Sequence, residues 1–139
     1  MLEHARFQNF TCVPNATWQF ASGLNIIVGE NGLGKTHVLK ALYAMLKVQA
    51  DGKELSKSAL ESAYADKLVA VFRPENLGRL TKRKQGRERC ELALTLADSA
   101  HDCAIGFATN AKSQVEVMRV PTRRLPRSPA YLPTRELVT

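Results

Sequence analysis

Apolar residues recur at spacings of three and four after residue 35, which is the period of one face of an α-helix. The apolar residues on this face are Val38, Leu39, Leu42, Met45 and Leu46. We therefore predict a helix from Lys35 to about Val48. The same period continues between about Lys53 and Val71 and predicts a second helix. This helix should end before Pro74, because the residue before a proline disfavours helical geometry.

Three short segments before the first helix have the pattern of β-strands. Residues 4–10 and 17–20 flank a turn signal, Pro14-Asn15, and predict two strands. Residues 24–28, Leu-Asn-Ile-Ile-Val, form a short apolar run of the kind found in buried parallel strands. Because this run ends directly at Gly29, we expect a buried strand that leads into a glycine-rich loop.

After the second helix, apolar and polar residues alternate with the period of strands that have one buried face. The extended runs cover residues 90–96, 103–107 and 114–120, with turn residues between them. They predict an antiparallel meander, and a further short strand is predicted at 130–132. The predicted fold class is therefore α/β, with a P-loop core of a few mainly parallel strands plus an antiparallel β meander.

Two stretches are rich in Lys and Arg. Residues 73–91 carry Gly78 and Gly86 as breakers and predict an exposed basic loop, while residues 121–129 contain several prolines and predict a stiff basic linker. The net charge of +7 favours contact with a polyanion such as nucleic acid. The clusters Lys82-Arg83-Lys84 and Arg123-Arg124 are the candidate contacts, and the alternative is that they face solvent or another lobe.

Composition limits the class of protein. Apolar residues at 45% and charged residues at 24% are typical of one soluble globular domain and exclude a disordered or fibrous chain. The sequence has no secretory signal pattern and no apolar run long enough to span a bilayer, so we expect a cytoplasmic protein without membrane contact. The three cysteines are widely spaced, which argues against both a disulfide framework and a zinc site.

One motif carries recognisable chemistry. Residues 29–36, Gly-Glu-Asn-Gly-Leu-Gly-Lys-Thr, match the pattern Gly-x-x-x-x-Gly-Lys-[Ser/Thr] and lie between a predicted strand and a predicted helix. Glycines allow the backbone to approach phosphate oxygens, and the loop amides together with the helix N-terminus form an anion site. We predict that this loop binds the triphosphate of a nucleotide. The alternative is a glycine-rich turn without a ligand.

The residues of the motif have separate roles. Lys35 can reach the β- and γ-phosphates, the Thr36 hydroxyl can ligate magnesium, and the His37 backbone N–H can help to hold the α-phosphate. The imidazole of His37 needs no role in this interpretation. The predicted cofactors are ATP and Mg²⁺, with Thr36 as metal ligand and no catalytic residue assigned. The predicted nucleotide-binding residues are Gly29, Glu30, Asn31, Gly32, Leu33, Gly34, Lys35, Thr36 and His37.

This motif, following Phe-Gln-Asn-Phe at residues 7–10, resembles the head domains of ABC, SMC and RecF-like ATPases, especially the OLD-like and AAA15/AAA21 bacterial group. Residues 132–136, Leu-Pro-Thr-Arg-Glu, are similar to the strand that leads toward the glutamine loop of these heads. The resemblance implies a two-lobed head in which ATP is sandwiched between the P-loop of one subunit and the signature sequence of another. It also implies a head-to-head homodimer, a nucleic-acid process such as phage defence or DNA repair, and a nuclease partner.

The sequence departs from this family in two motifs. It has no Leu-Ser-Gly-Gly signature, and no apolar run ends in the Asp-Glu pair that would supply a Walker B magnesium ligand and a catalytic base. Residues 94–98 end in Asp98 but lack the following Glu. In the family these elements lie in the second lobe, so residues 1–139 resemble an N-terminal lobe. We expect ATP binding to persist and hydrolysis to be very weak or absent.

Two other functions fit parts of the sequence. The chain could be an interaction module for nucleic acid or protein whose P-loop no longer cycles. A small P-loop kinase is the third reading, but this length and the predicted meander leave little room for a lid and an acceptor site. His101-Asp102-Cys103 is predicted to be a hairpin turn, because neighbouring residues do not by their order form a catalytic triad.

Four residues near the N-terminus lie where members of the resembled family place adenine or ribose contacts. They are Arg6, Phe7, Asn9 and Phe10. For the two phenylalanines, core packing is the expected role.

Overall fold

The computed structural model describes residues 1–30, 34–52, 54–82 and 88–132. Within these ranges, the strands are β1 (Leu2–Gln8), β2 (Ala16–Gln19), β3 (Arg89–Leu96), β4 (Cys103–Ala108) and β5 (Glu116–Arg119). The helices are α1 (Lys35–Asp51) and α2 (Lys57–Phe72), and two short 3-10 helices span Leu77–Leu80 and Ser99–His101. No helix of the described ranges is long and apolar enough to cross a membrane.

The strands form one sheet in the order β2-β1-β3-β4-β5, and each of these neighbouring pairs is antiparallel. The predicted meander is confirmed as β3, β4 and β5, and the predicted N-terminal strands are confirmed as β1 and β2. Pairing of Leu92 with Ile105 in β4, and of Leu94 with Ala5 in β1, aligns apolar residues on one face. This face is the one that the helices cover.

The core lies between this sheet face and the two helices. Alternate strand residues are buried there, namely Ala5, Phe7, Cys90, Leu92, Leu94, Leu96, Cys103, Ile105 and Phe107. The helices contribute Val38, Leu42, Met45, Leu60, Tyr64 and Leu68 among others. Burial of each large apolar side chain contributes about 1.5–3 kcal/mol to the stability of the fold. The apolar residues that alternate along the strands therefore supply most of the free energy that joins the sheet to the helices.

Both helices are confirmed, with ends that differ from the prediction. Helix α2 begins at Lys57, later than predicted, because the Ser56 hydroxyl caps it by accepting a hydrogen bond from the Ala59 N–H at 3.4 Å. It ends at Phe72, followed by Arg73 in the left-handed conformation with φ 52°. Helix α1 continues past Val48 to Asp51 before Gly52 ends it.

The predicted buried strand at residues 24–28 is wrong. The segment is not a strand, and the side chains of Leu24, Ile26 and Val28 are 85%, 75% and 84% exposed. Only Ile27 packs partly against the core. A buried parallel strand needs neighbours on its own sheet, and the described strands pair only with one another in an antiparallel sheet. The described residues therefore contain no parallel strand pair.

Two further expectations are corrected. The predicted exposed loop of residues 73–91 is interrupted by the 3-10 helix Leu77–Leu80, in which Leu77, Gly78 and Leu80 are buried. The predicted strand at 130–132 is absent, and the ring of Tyr131 packs at 5.8 Å from that of Tyr43 on α1. Local alternation could not show either result, because both depend on packing against distant parts of the chain.

The cysteines are all unpaired and differ sharply in accessibility. Cys12 is exposed, whereas Cys90 and Cys103 are buried. Burial raises the pKa of both buried thiols, to about 12 for Cys103. The Cys103 sulfur also accepts a hydrogen bond from the Gln49 side chain at 2.7 Å. Two of the three thiols are therefore protected by the fold.

We expect a disulfide reagent such as Ellman's reagent to modify one thiol per native chain quickly. In denaturant, all three cysteines of the chain should react, because unfolding exposes Cys90 and Cys103. The Cys12→Ser variant should show no fast phase. Rapid reaction of two or more thiols in the native protein would contradict the buried positions of Cys90 and Cys103.

Candidate functional site

The predicted phosphate loop leads into α1, and its last glycine is the N-cap residue of that helix. Gly34 has φ 86°, in the left-handed region that favours glycine. Its carbonyl accepts the Val38 N–H at 3.0 Å, so the hydrogen bonding of the helix begins here. The N–H groups of the first turn therefore lack partners within the helix, an arrangement that is suited to anions. Asn31, Gly32 and Leu33 lie outside the described residues.

Close packing gives a second reason for glycine at position 34. A Cβ atom there would lie 3.0 Å from Val13 Cγ2 and 3.2 Å from Cys12 Sγ. The end of the phosphate loop thus rests directly on residues 12 and 13. A larger residue would have to push this segment away and would also adopt an unfavourable φ.

Lys35 reaches back across the loop. Its ammonium group donates a hydrogen bond to the carbonyl of Gly29, the first residue of the motif. Gly29, Glu30 and Thr36 are exposed. An ammonium group in this position can donate hydrogen bonds to phosphate oxygens. An exposed hydroxyl oxygen at the start of the helix can ligate Mg²⁺. The described part of the motif therefore fits ATP and Mg²⁺.

The imidazole of His37 is engaged, although the sequence suggested no role for it. Its Nδ1 lies 2.7 Å from the Thr11 hydroxyl and 4.0 Å from Cys12 Sγ. Its ring meets that of Phe72 edge-on at 5.7 Å. Partial burial, together with the positive charge of Lys40, lowers the pKa of His37 below its ordinary value. The side chain is therefore held against residues 11 and 12.

Residues 9–13, which we term the corner, connect β1 to the phosphate loop in space. Asn9 and Thr11 have φ values of 54° and 45°, which non-glycine residues adopt rarely. The Thr11 N–H donates to the Leu80 carbonyl at 2.7 Å, and the Lys82 N–H donates to the Asn9 carbonyl at 2.6 Å. These bonds hold the corner in a conformation that its own backbone does not favour.

The four N-terminal residues for which the resemblance suggests adenine or ribose contacts have partners within the protein itself. Phe7 and Phe10 are buried in the core, which confirms their expected packing role. Arg6 pairs with Glu91 at 3.2 Å on the sheet face opposite the core. Asn9 is buried, and its amide donates to Glu88 and to the Arg89 carbonyl. In this structure these side chains stabilise the sheet and the corner.

The segment His101-Asp102-Cys103 lies where the connection from β3 enters β4: His101 ends the 3-10 helix Ser99–His101, and Cys103 is the first residue of β4. The Asp102 carboxylate accepts the Leu96 N–H at 2.8 Å and pairs with Arg119 at 3.1 Å. His101 Nδ1 instead lies 3.0 Å from the Arg123 carbonyl, and Cys103 is buried. The three side chains have separate partners and do not form a nucleophile with its base.

The basic clusters are only partly described. The Lys82 ammonium donates to the Val13 carbonyl at 3.3 Å, and Arg123 pairs with Asp98 on the turn after β3. Arg83 and Lys84 lie outside the described residues. A nucleic-acid interface at these clusters stays a prediction.

The matches to curated relatives cover only part of this chain and a smaller part of each relative. The chain is 27% identical to the DNA replication and repair protein RecF of Shewanella frigidimarina over 116 residues, or 84% of this chain and 26% of that protein. It is 40% identical to RecF of Francisella tularensis subsp. novicida over 42 residues, or 30% of this chain and 12% of that protein. The chain thus spans about a quarter or less of the length of these relatives.

Solved structures resemble the described fold more completely. A structure of the recombination mediator protein RecF with ATP aligns with a TM-score of 0.51 and 18% identity, over 92% of this chain and 29% of that one. An SMC ATPase aligns with a TM-score of 0.53 and 19% identity, over 91% of this chain and 73% of that one. These similarities show the fold of a P-loop ATPase head of the ABC, SMC and RecF type.

A family model described as an AAA ATPase domain matches residues 1–111, and thus β1 to β4, both helices and the whole phosphate-loop motif. This match agrees with the resemblance carried by the motif itself. The chain therefore belongs to the AAA ATPase domain family, and its fold is that of the RecF and SMC ATPase heads.

Proposed function

We propose that this chain binds ATP with Mg²⁺ as the N-terminal lobe, residues 1–139, of an ATPase head. The observation that carries the proposal is the start of α1, where Gly34 caps the helix in a left-handed conformation and Lys35 spans the loop to Gly29. The proposal thus assigns both the first-turn amide groups of α1 and the Lys35 ammonium group to the phosphates. This combination is suited to a polyphosphate.

Each residue has a defined task in this proposal. The first-turn N–H groups of α1 donate to phosphate oxygens, and Gly34 allows these oxygens to approach the backbone. Lys35 exchanges its bond to the Gly29 carbonyl for bonds to the β- and γ-phosphates, and Thr36 directs its hydroxyl toward the metal. Mg²⁺ held at this hydroxyl would supply positive charge that offsets the negative charge of the phosphates. The described residues thus bind and orient the nucleotide.

Calorimetric titration with a non-hydrolysable ATP analogue tests the proposal. We expect saturable binding at one site per chain in the presence of Mg²⁺ and weaker binding in EDTA. Circular dichroism of the same sample checks that the chain is folded. A folded chain that binds no nucleotide under these conditions would overturn the proposal.

The relatives suggest the process in which this site works. RecF is described as a DNA replication and repair protein, and the SMC structure concerns ATP-driven dimerization and DNA-stimulated activation. We propose a cytoplasmic ATPase in which nucleotide-driven head association controls a DNA process, either repair or phage defence beside a nuclease. We expect very weak hydrolysis by residues 1–139 alone, because no Asp-Glu pair follows an apolar run in this sequence.

The exposed apolar segment 24–28 fits this proposal, because we propose that the second lobe of the full head packs against this segment. RecF relatives are several times longer than this chain, and the side chains of Leu24, Ile26 and Val28 face solvent. Exposed apolar patches promote association. We expect the isolated chain to form concentration-dependent oligomers in sedimentation velocity experiments.

The double variant Leu24→Ser/Ile26→Ser should shift this equilibrium toward monomer. Leu39→Ser provides a control, because Leu39 is an exposed leucine on α1 outside the segment. It should leave the association unchanged. A strictly monomeric wild-type chain at high concentration would contradict this part of the proposal.

A second candidate function is a nucleic-acid-binding module whose P-loop does not cycle. The net charge of +7 favours it. Such a module would bind DNA or RNA with an affinity that falls steeply with salt and does not respond to ATP. Titration of a labelled DNA duplex at two salt concentrations, with and without ATP, separates this function from a nucleotide-controlled one.

A further inference from the structure

A short side-chain hydrogen bond joins the corner to the first turn of α1. It lies between the Thr11 hydroxyl and His37 Nδ1, at 2.7 Å. We propose that Thr11 and His37 form a positioning pair, which orients the phosphate-binding amides of the first turn of α1. This inference rests on the proposed function, because its consequence is measured as nucleotide affinity.

The Thr11 hydroxyl is a rigid partner for the imidazole. Thr11 has φ 45°, and a β-branched residue in this region persists only where surrounding contacts hold it. Its N–H donates to the Leu80 carbonyl at 2.7 Å, and the adjacent Phe10 forms a β-bridge with Thr81. The hydroxyl is thus fixed by the backbone of residues 80–81.

The imidazole is also held from its other side. The rings of His37 and Phe72 are nearly perpendicular, with 5.7 Å between centroids, and Phe72 meets Phe10 in the same way at 5.4 Å. Phe10 is fully buried. The ring of His37 therefore lies between Thr11 and the C-terminal end of α2, and this position limits its rotation.

Two contacts with one corner define the orientation of the first turn. Gly34 rests on Val13 and Cys12, and His37, three residues further along α1, bonds to Thr11. These contacts lie about one helical turn apart. Together these two contacts fix the orientation of the first turn of α1, and therefore the direction in which its backbone N–H groups point. Groups that are misplaced by about 1 Å lose much of their effect.

The variant Thr11→Val tests the pair, because valine keeps the β-branched shape and removes the hydroxyl. We expect its affinity for the ATP analogue to be about three- to tenfold weaker, because this factor corresponds to the usual net contribution of one hydrogen bond. Thr11→Ser should restore the wild-type affinity. In a His37→Leu background, Thr11→Val should cause no further loss. Thr17→Val on β2, an exposed threonine, is the matched control.

Hydrogen–deuterium exchange of a peptide that covers the first turn of α1 gives a second measurement without nucleotide. Exchange should be faster in Thr11→Val than in wild type and Thr11→Ser. Equal exchange and equal affinity in the valine and serine variants would overturn the pair, even if wild type binds ATP and Lys35→Ala does not. If wild type binds no ATP, the proposed function fails, and equal exchange in the two variants would still overturn the pair.

Discussion

The Lys35→Ala variant is expected to lose ATP affinity by about 100-fold or more. In the structure the Lys35 ammonium group donates a hydrogen bond to the carbonyl of Gly29, the first residue of the motif, and the proposed function assigns this group to the β- and γ-phosphates. Hydrogen bonds to charged groups contribute about 1.5–3 kcal/mol each, and two such bonds correspond to at least about 100-fold in affinity. Calorimetric titration with the ATP analogue and Mg²⁺ measures the loss directly.

Lys40→Ala is the matched control for this variant. Lys40 lies on the same helix, and its removal changes the net charge by the same amount. The affinity of Lys40→Ala should stay within about threefold of wild type, because a charge that makes no direct phosphate contact acts only at a distance and is screened by salt. Similar losses in both variants would show that general electrostatic attraction, rather than a specific contact of Lys35, holds the nucleotide.

The sequence was sufficient to predict a phosphate site because the motif is local. A glycine at position 34, a lysine after it and a helix with apolar period all lie within a few residues of one another. The left-handed conformation of Gly34 and the start of α1 at Lys35 agree with that prediction. The alternation of apolar and polar residues in β3 and β4 likewise predicted the meander, because such alternation places the apolar side chains of a strand on one buried face.

Features that depend on distant pairing could not be predicted. Residues 24–28 have the composition of a buried strand, but a strand exists only where a neighbour supplies hydrogen bonds, and composition carries no information about that neighbour. The bond between Thr11 and His37 joins residues 26 positions apart. Neither residue is unusual in the sequence, and their contact appears only after the corner has folded over α1.

The same limit applies to Gly78, which the sequence presents as a breaker in a basic loop. In the structure it is buried in the 3-10 helix Leu77–Leu80, and its N–H donates to the Ala111 carbonyl at 2.8 Å. A Cβ atom at this position would lie 1.9 Å from the Thr109 carbonyl oxygen and 2.5 Å from its carbon. Two backbone segments therefore approach so closely that only glycine fits between them.

We expect Gly78→Ala to destabilise the fold by about 3 kcal/mol or more, the upper range for overpacking, since backbone atoms cannot rotate away as a side chain can. Thermal unfolding followed by circular dichroism should show a lower Tm, by on the order of 10 °C. Gly23→Ala is the matched control, because a Cβ atom there meets nothing within 4 Å. An unchanged Tm in Gly78→Ala would contradict this packing.

The consequence should extend to the nucleotide site. Gly78 belongs to the 3-10 helix that also contains Leu80, whose carbonyl holds the Thr11 N–H in the corner. A shift of this helix away from Thr109 would therefore move the support of Thr11 and, through His37, the first turn of α1. In conditions where Gly78→Ala is still folded, we expect its ATP affinity to be lower than that of Gly23→Ala. Equal affinities would show that the corner keeps its position without this helix.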